Sequence, residues 1–162
     1  MDFSAFEQKL NEKMEEIRTF VRDDVPDIIG VEAVNFFRES FEKESFEGNP
    51  WKEVERRKPD SPWYGFSAGA KKSFSQTRTM AKILSGETGE LKEAITYRKT
   101  PGAVTVVNEK PYAAVHNYGL PAKIFGKKEF KMPQRTFMEY SNDLQEKIDD
   151  KIQREITNIL KK

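Results

Sequence analysis

Few residues in this sequence could do chemistry, and their types and spacing narrow what that chemistry could be. His116, in the stretch YAAVHNYG, is the only histidine. Any imidazole base, imidazole metal ligand or Ser–His–Asp triad would have to use it. No GxSxG elbow accompanies it. There are no cysteines, which excludes thiol catalysis, disulfides and Cys-ligated zinc. Neither a GxxxxGK[ST] loop nor a GxGxxG turn occurs, so nucleotide binding has no support. Paired carboxylates such as Asp149-Asp150 fall in a charged helical stretch and read as a solvated face. These observations predict a protein that is not an enzyme and takes no metal or cofactor, with His116 as a structural hydrogen-bonding residue.

A second kind of chemistry is electrostatic. Lys123, Lys127, Lys128 and Lys131 interleave with Phe125 and Phe130 against a single acidic residue, Glu129. Cations alternating with aromatic rings can follow a phosphate backbone while the rings stack on bases. The hairpin 123–131 is therefore a candidate for weak DNA contact through Lys127 and Lys128; a solvated hairpin tip has the same composition. Upstream, Trp63, Tyr64 and Phe66 lie among Arg56, Arg57, Lys58, Lys71 and Lys72, a stretch that either anchors a loop or meets a partner. The net charge is +1, yet residues 1–50 carry 13 acidic and 6 basic groups, a net of −7, whereas 51–110 and 111–162 are net +5 and +3. This polarity fits head-to-tail contact between copies, with Arg56, Arg57 and Lys58 against the acidic helical face of a neighbour. It equally fits acidic helices joined by basic loops.

The elements that must position these groups follow from periodicity. A chain of 162 residues suffices for one domain with a modest core. With 36% hydrophobic and 34% charged residues, that core is expected to be thin or completed by a partner. No apolar run approaches the roughly 20 residues that span a bilayer. The start, MDFSAFEQKL, does not read as a signal peptide, so no membrane role and a cytoplasmic origin are expected. Phe3, Phe6, Leu10, Met14, Ile17 and Val21 step by three and four, predicting a helix over about 4–22 with that face in the core. Pro26 after Asp23-Asp24 suits the first turn of a second helix, which Ile29, Ala33, Phe37 and Phe41 carry to about Phe46. Residues 1–47 thus form a helical pair, and 48–75 read as a long irregular loop anchored by Trp51. A β-rich part over 76–134 begins with a short helix around Met80, Ile83 and Leu84. The strands ITYRK and AVTVV follow, joined at Thr100-Pro101-Gly102 in the order a type II turn prefers. Tyr112 to Tyr118 fits either a helical turn or a strand. KIFGKKEFKM predicts a hairpin with Gly126 near its tip. The terminal helix is expected over 135–162, with Phe137, Tyr140, Leu144, Ile148, Ile152, Ile156 and Ile159 as a narrow stripe. The sum is one α+β domain over 1–162: an N-terminal helical pair and a long C-terminal helix packed on a small antiparallel sheet, with long loops.

The order of four short motifs is more specific than any of them alone. Gly48 and Trp51 keep a Gly-x-x-Trp spacing. Leu84 to Leu91, LSGETGEL, carries Thr88-Gly89 ahead of Leu91. Tyr112, Ala113, His116 and Gly119 form Tyr-Ala-x-x-His-x-x-Gly, and Pro133, Arg135 and Phe137 form Pro-x-Arg-x-Phe before the last helix. In this order the chain resembles the phage virion morphogenesis family, the tail completion proteins of Mu-like and P2-like phages. The usual glutamine after the histidine is Asn117 here. The resemblance implies a structural role in completing the tail or joining it to the head, as a ring-forming connector component. Its partners would be other tail and connector proteins and further copies of itself. Its location would be the bacterial host cytoplasm during assembly and then the virion. Within the motifs, Gly119 is expected to adopt a conformation other residues resist, and His116 and Arg135 to brace the basic hairpin.

Overall fold

The helical start of the chain has a joint different from the break that Asp23-Asp24-Pro26 predicts. In the computed structural model, which describes residues 2–65, 75–86, 88–124 and 126–162, helix α1 (Phe3–Thr19) runs through a π-helical turn (Phe20–Asp24) directly into α2 (Val25–Lys43). Asp2 caps α1, its Oδ1 accepting from the Ser4 N–H at 3.1 Å. At the joint the Val25 N–H donates to the Phe20 carbonyl, five residues back. A proline has no N–H, and its ring crowds the carbonyl four residues earlier. The wider turn just before Pro26 accommodates that ring without ending the helix.

α2 also stops sooner than expected. Glu44 (φ 52°) leaves the helix, and β1 (Ser45–Phe46) turns through Glu47 (φ 47°) and Gly48 (φ 76°) into β2 (Asn49–Pro50). Two left-handed residues between paired strands make the tight hairpin turn that a right-handed strand twist favours. A 3₁₀ turn (Glu55–Arg57) lies in the region read as irregular loop. α3 (Gln76–Met80) replaces the helix expected around Ile83 and Leu84, which instead lie in a turn. α4 (Glu90–Glu93) leads into β3 (Ile95–Thr100), which pairs with β4 (Ala103–Asn108). The turn between them holds Gly102 at φ 75°, as a type II turn requires. The open choice at 112–118 resolves as a helix, α5 (Ala113–Tyr118). β5 (Pro121–Ile124) and β6 (Lys128–Lys131) form the expected hairpin, with Gly126 in the turn. α6 (Asn142–Lys161) begins seven residues later than Arg135. Class α+β holds, but the expected small sheet is three separate two-stranded ones among the described residues.

The chain divides into two compact units. The first comprises Met1–Phe36, Thr96–Val107 and Tyr140–Lys162. Here α6 packs on α1, and Phe20, Ala33, Val34, Leu144, Ile148 and Ile159 are buried. Ser141 caps α6, its Oγ accepting from the Leu144 N–H at 3.1 Å. The Tyr97 ring lies where a side chain at position 30 would stand, 2.3 Å from a β-carbon built there, so only glycine fits. Tyr97 and Lys99 both donate to Asp27, each at 2.9 Å. The core expectation fails along most of α1, which buries no residue: Phe3 is 73% exposed, and Phe6, Leu10 and Met14 are exposed with it. Only below them, where the π-turn brings Phe20 inward, is the helix closed over.

The second unit comprises Phe37–Ile95 and Asn108–Glu139. Its core is aromatic. Phe41 meets the edge of Trp51 at 5.4 Å between centroids and Phe137 at 5.0 Å. Phe37 stacks on Phe46 at 6.4 Å. Ile83, Leu91, Ile95 and Ala113 complete it.

Candidate functional site

The motif residues of the second unit converge on one interlocked cluster. Trp51, held against Phe41, donates its indole N–H to the Thr136 carbonyl at 2.7 Å. Arg135 is buried and donates Nε and Nη2 to the Lys52 carbonyl at 3.1 and 2.9 Å, while its backbone N–H donates to the His116 carbonyl at 2.8 Å. Asn117, 4% exposed, accepts at Oδ1 from the N–H groups of Phe137 and Met138 at 2.9 and 3.0 Å and donates Nδ2 to the Met138 carbonyl at 2.9 Å. These bonds replace helical ones over 135–138, which is why α6 starts late. Gly119 ends α5 at φ 64°, and a β-carbon there would lie 2.9 Å from the Gln134 Cβ and 3.0 Å from the Met132 carbonyl oxygen. Position 119 thus requires glycine on two grounds, conformation and space. Arg135 ties the Trp51–Lys52 segment to the chain ahead of α6, a different bond from the hairpin brace expected of it. Pro133 lies between the hairpin and this cluster, in a segment without helix or strand.

His116 contributes to this cluster through its backbone carbonyl. Its ring is half-buried and meets Tyr112 edge-on at 6.2 Å between centroids. Nδ1 is buried and has no hydrogen-bond partner. Burial, reinforced by the Arg135 guanidinium, pushes the imidazole below its ordinary pKa of 6.5. A neutral ring beside an arginine can pack and orient. Burial, with the Arg56 charge nearby, also lowers the Arg135 pKa from its usual value.

A second knot holds the basic residues expected to face a neighbour. Arg56 donates Nε to the Arg78 carbonyl at 2.7 Å and Nη2 to the Ala81 and Lys82 carbonyls at 2.8 and 3.1 Å. Arg57 forks onto Glu44 at 2.9 and 2.6 Å and donates to the Ala81 carbonyl at 2.7 Å. Glu44 also accepts from the Ile83 N–H at 2.7 Å. Hydrogen bonding by Arg57 keeps the Glu44 carboxyl below its usual pKa, against the opposing effect of burial. Arg56 and Arg57 therefore fix the 78–83 segment from within, and Lys58 pairs with Glu55 on the same turn. Gly89 caps α4 at φ 68°, where Glu90 pairs with Lys110 at 2.9 Å.

The outward-facing candidates are elsewhere. Lys123, Lys127, Lys128 and Lys131 are all exposed on the β5–β6 hairpin. Trp63 is 63% exposed, with Tyr64 partly covered beside it. Phe66, Lys71, Lys72 and Phe125, as well as Glu87 of the second motif, lie outside the described residues.

Two residues central to this arrangement are missed by sequence reasoning. Asn117 had a legible signal: an amide where the family carries another amide, a neutral side chain that accepts at one atom and donates two hydrogens from another. Glu44 had none, since its pairing depends on a non-glycine left-handed residue after α2. Among the described residues no group of three or more His, Asp or Glu side chains is arranged to hold a metal ion. No helix of the described chain is long and apolar enough to cross a membrane. No curated protein and no solved structure matches the chain. A family profile, that of the phage virion morphogenesis family, matches residues 1–157, the span that contains all four motifs and both knots. With nearly its whole length covered, the chain belongs to the phage virion morphogenesis family, a family of phage assembly.

Proposed function

We propose that this protein is a non-enzymatic structural component that completes the phage tail or joins it to the head, acting as a ring-forming connector subunit in contact with other tail and connector proteins. The observation that carries this reading is how the motif residues are used. Trp51, Asn117, Gly119, Arg135 and Phe137 lock backbone segments to one another. A family pattern used for bracing is what a scaffold needs. The uncovered face of α1 gives further support. Phe3, Phe6, Leu10 and Met14 lie on one side of a helix that buries nothing, and an apolar face of this extent marks a contact surface. Subunits that bind only when folded also gain stability from assembly.

The test is electron microscopy of particles produced after deleting the gene from its phage. Full heads separate from unattached or overlong tails are expected. Normal infectious particles would sink the proposal.

A further inference from the structure

We propose that the β5–β6 hairpin of one copy seats in an acidic groove between α1 and α6 of a second copy. This rests on the assembly reading above and names a partner for it, a second copy of this chain. The groove, about 650 Å³, lies wholly in the first unit. Its base is Phe20 and Ile159, both closed over in the folded chain. Its rim is acidic, with Glu12, Glu15, Glu16, Asp24 and Glu155. Lys13 pairs with Glu16 at 3.0 Å and Arg18 with Glu15 at 3.5 Å. No salt bridge among the described residues draws on Glu12, Asp24 or Glu155. This side of α1 is distinct from the stripe of Phe3, Phe6, Leu10 and Met14, as the spacing of the residues around the helix requires.

The hairpin has the complementary arrangement. Its register pairs Ala122 with Phe130 and Ile124 with Lys128, and Pro121 with Lys131 and Lys123 with Glu129. Directly paired residues share a face and neighbours along a strand alternate. One face therefore carries Ala122, Ile124 and Phe130 and ends in Lys128, with Lys127 in the adjoining turn. The one acidic residue, Glu129, is on the other face. Ile124 is 46% exposed. The two cations at the end of this strip, Lys127 and Lys128, match a groove lined by five carboxylates. Arg56 and Arg57 cannot serve in this way, because internal carbonyls and Glu44 hold them. A contact between unlike surfaces leaves a growing assembly with a free groove at one end and a free hairpin at the other, so association continues into a ring or filament.

The experiment is sedimentation velocity on the full chain over a concentration series, at low and high salt. The wild type is expected to associate at low salt and to dissociate as salt screens the rim. Lys127→Glu with Lys128→Glu, and separately Glu12→Lys with Glu155→Lys, should each weaken association about tenfold or more. Their melting should be unchanged, because all four side chains are exposed. Mixed in equal amounts, the two variants should associate again, since each then supplies the charge the other's surface needs. Restoration in the mixture is the outcome that a general charge effect on folding would not produce. A wild type that stays monomeric, a variant that associates like the wild type, or a mixture that stays monomeric overturns the proposal. If that monomer instead retards DNA in a Lys127-dependent way, the hairpin's partner is nucleic acid. Failure here leaves the deletion phenotype intact, whereas normal particles after deletion would overturn the assembly role without touching this contact.

Discussion

Asn117 shows how much one short side chain can hold. Its amide satisfies the buried Phe137 N–H and the partly buried N–H and carbonyl of Met138, in the segment just ahead of α6. Replacing it with alanine leaves those groups unpaired, and each orphaned buried group costs about 1–3 kcal/mol. Asn117→Ala should lower stability in urea by about 3 kcal/mol, and a loss under about 0.5 kcal/mol would show that water substitutes for the amide. His116 makes a pH-dependent contribution. Its pKa in the fold lies below the 6.5 of the unfolded chain, with burial as the main cause and Arg135 second. Between the two values the unfolded state binds more proton, so stability rises with pH in that window. The contribution is complete above 6.5 and lost as the pH falls through the folded value. Urea midpoints followed from about pH 7.5 to about pH 5 should fall for the wild type and fall less for His116→Gln. Parallel curves would refute the assignment.

Between elements, the Glu44 knot ties the end of α2, the 3₁₀ turn and the segment ahead of Leu84 into one unit. Arg57→Glu would set a second carboxylate against Glu44 in a pair only about a fifth exposed. We expect it to cost roughly 2–4 kcal/mol, as breaking a largely buried pair does. Lys58→Glu, which loses only a pair with the exposed Glu55, should cost less than about 0.5 kcal/mol. Thermal unfolding of the two variants distinguishes bracing from contact: equal, small losses would return Arg57 to the outer surface. The joint between α1 and α2 makes a related point. Pro26 is a strong stop signal in isolation, yet one π-turn absorbs it because the helical residues on both sides continue the pattern.

For the molecule as a whole, the exposed face of α1 separates the stability of a subunit from its function. Leu10 is about half exposed, and surface changes of this kind move stability by within about 0.5 kcal/mol. Leu10→Glu should therefore leave the melting temperature of the purified chain close to wild type while sharply reducing the yield of infectious particles. A clear drop in melting temperature would mean the face is covered in the free subunit. Normal particle yield would mean that this face meets no partner. The charge asymmetry along the chain also gains a location: the acidic excess of the first 50 residues includes the groove rim, and part of the basic excess lies on the β5–β6 hairpin.

Local sequence by itself determined the class of the protein and most of its elements. Helical periodicity placed α1 and α2, the Pro-Gly pair set the turn between β3 and β4, and Gly126 marked the tip of the basic hairpin. These features depend on backbone preferences within a few residues, which a linear reading can weigh. The order of four motifs carried the family for the same reason. Tertiary structure alone decided which apolar stripe is core and which is surface, because α6 closes over Phe20 and leaves Phe3 to Met14 open. It also decided that Arg56 and Arg57 turn inward, and that Phe137 belongs to the Phe41–Trp51 cluster before α6 begins. Those outcomes rest on carbonyls and side chains far apart in the chain, such as Lys52 and Arg135, that only folding brings within hydrogen-bond reach.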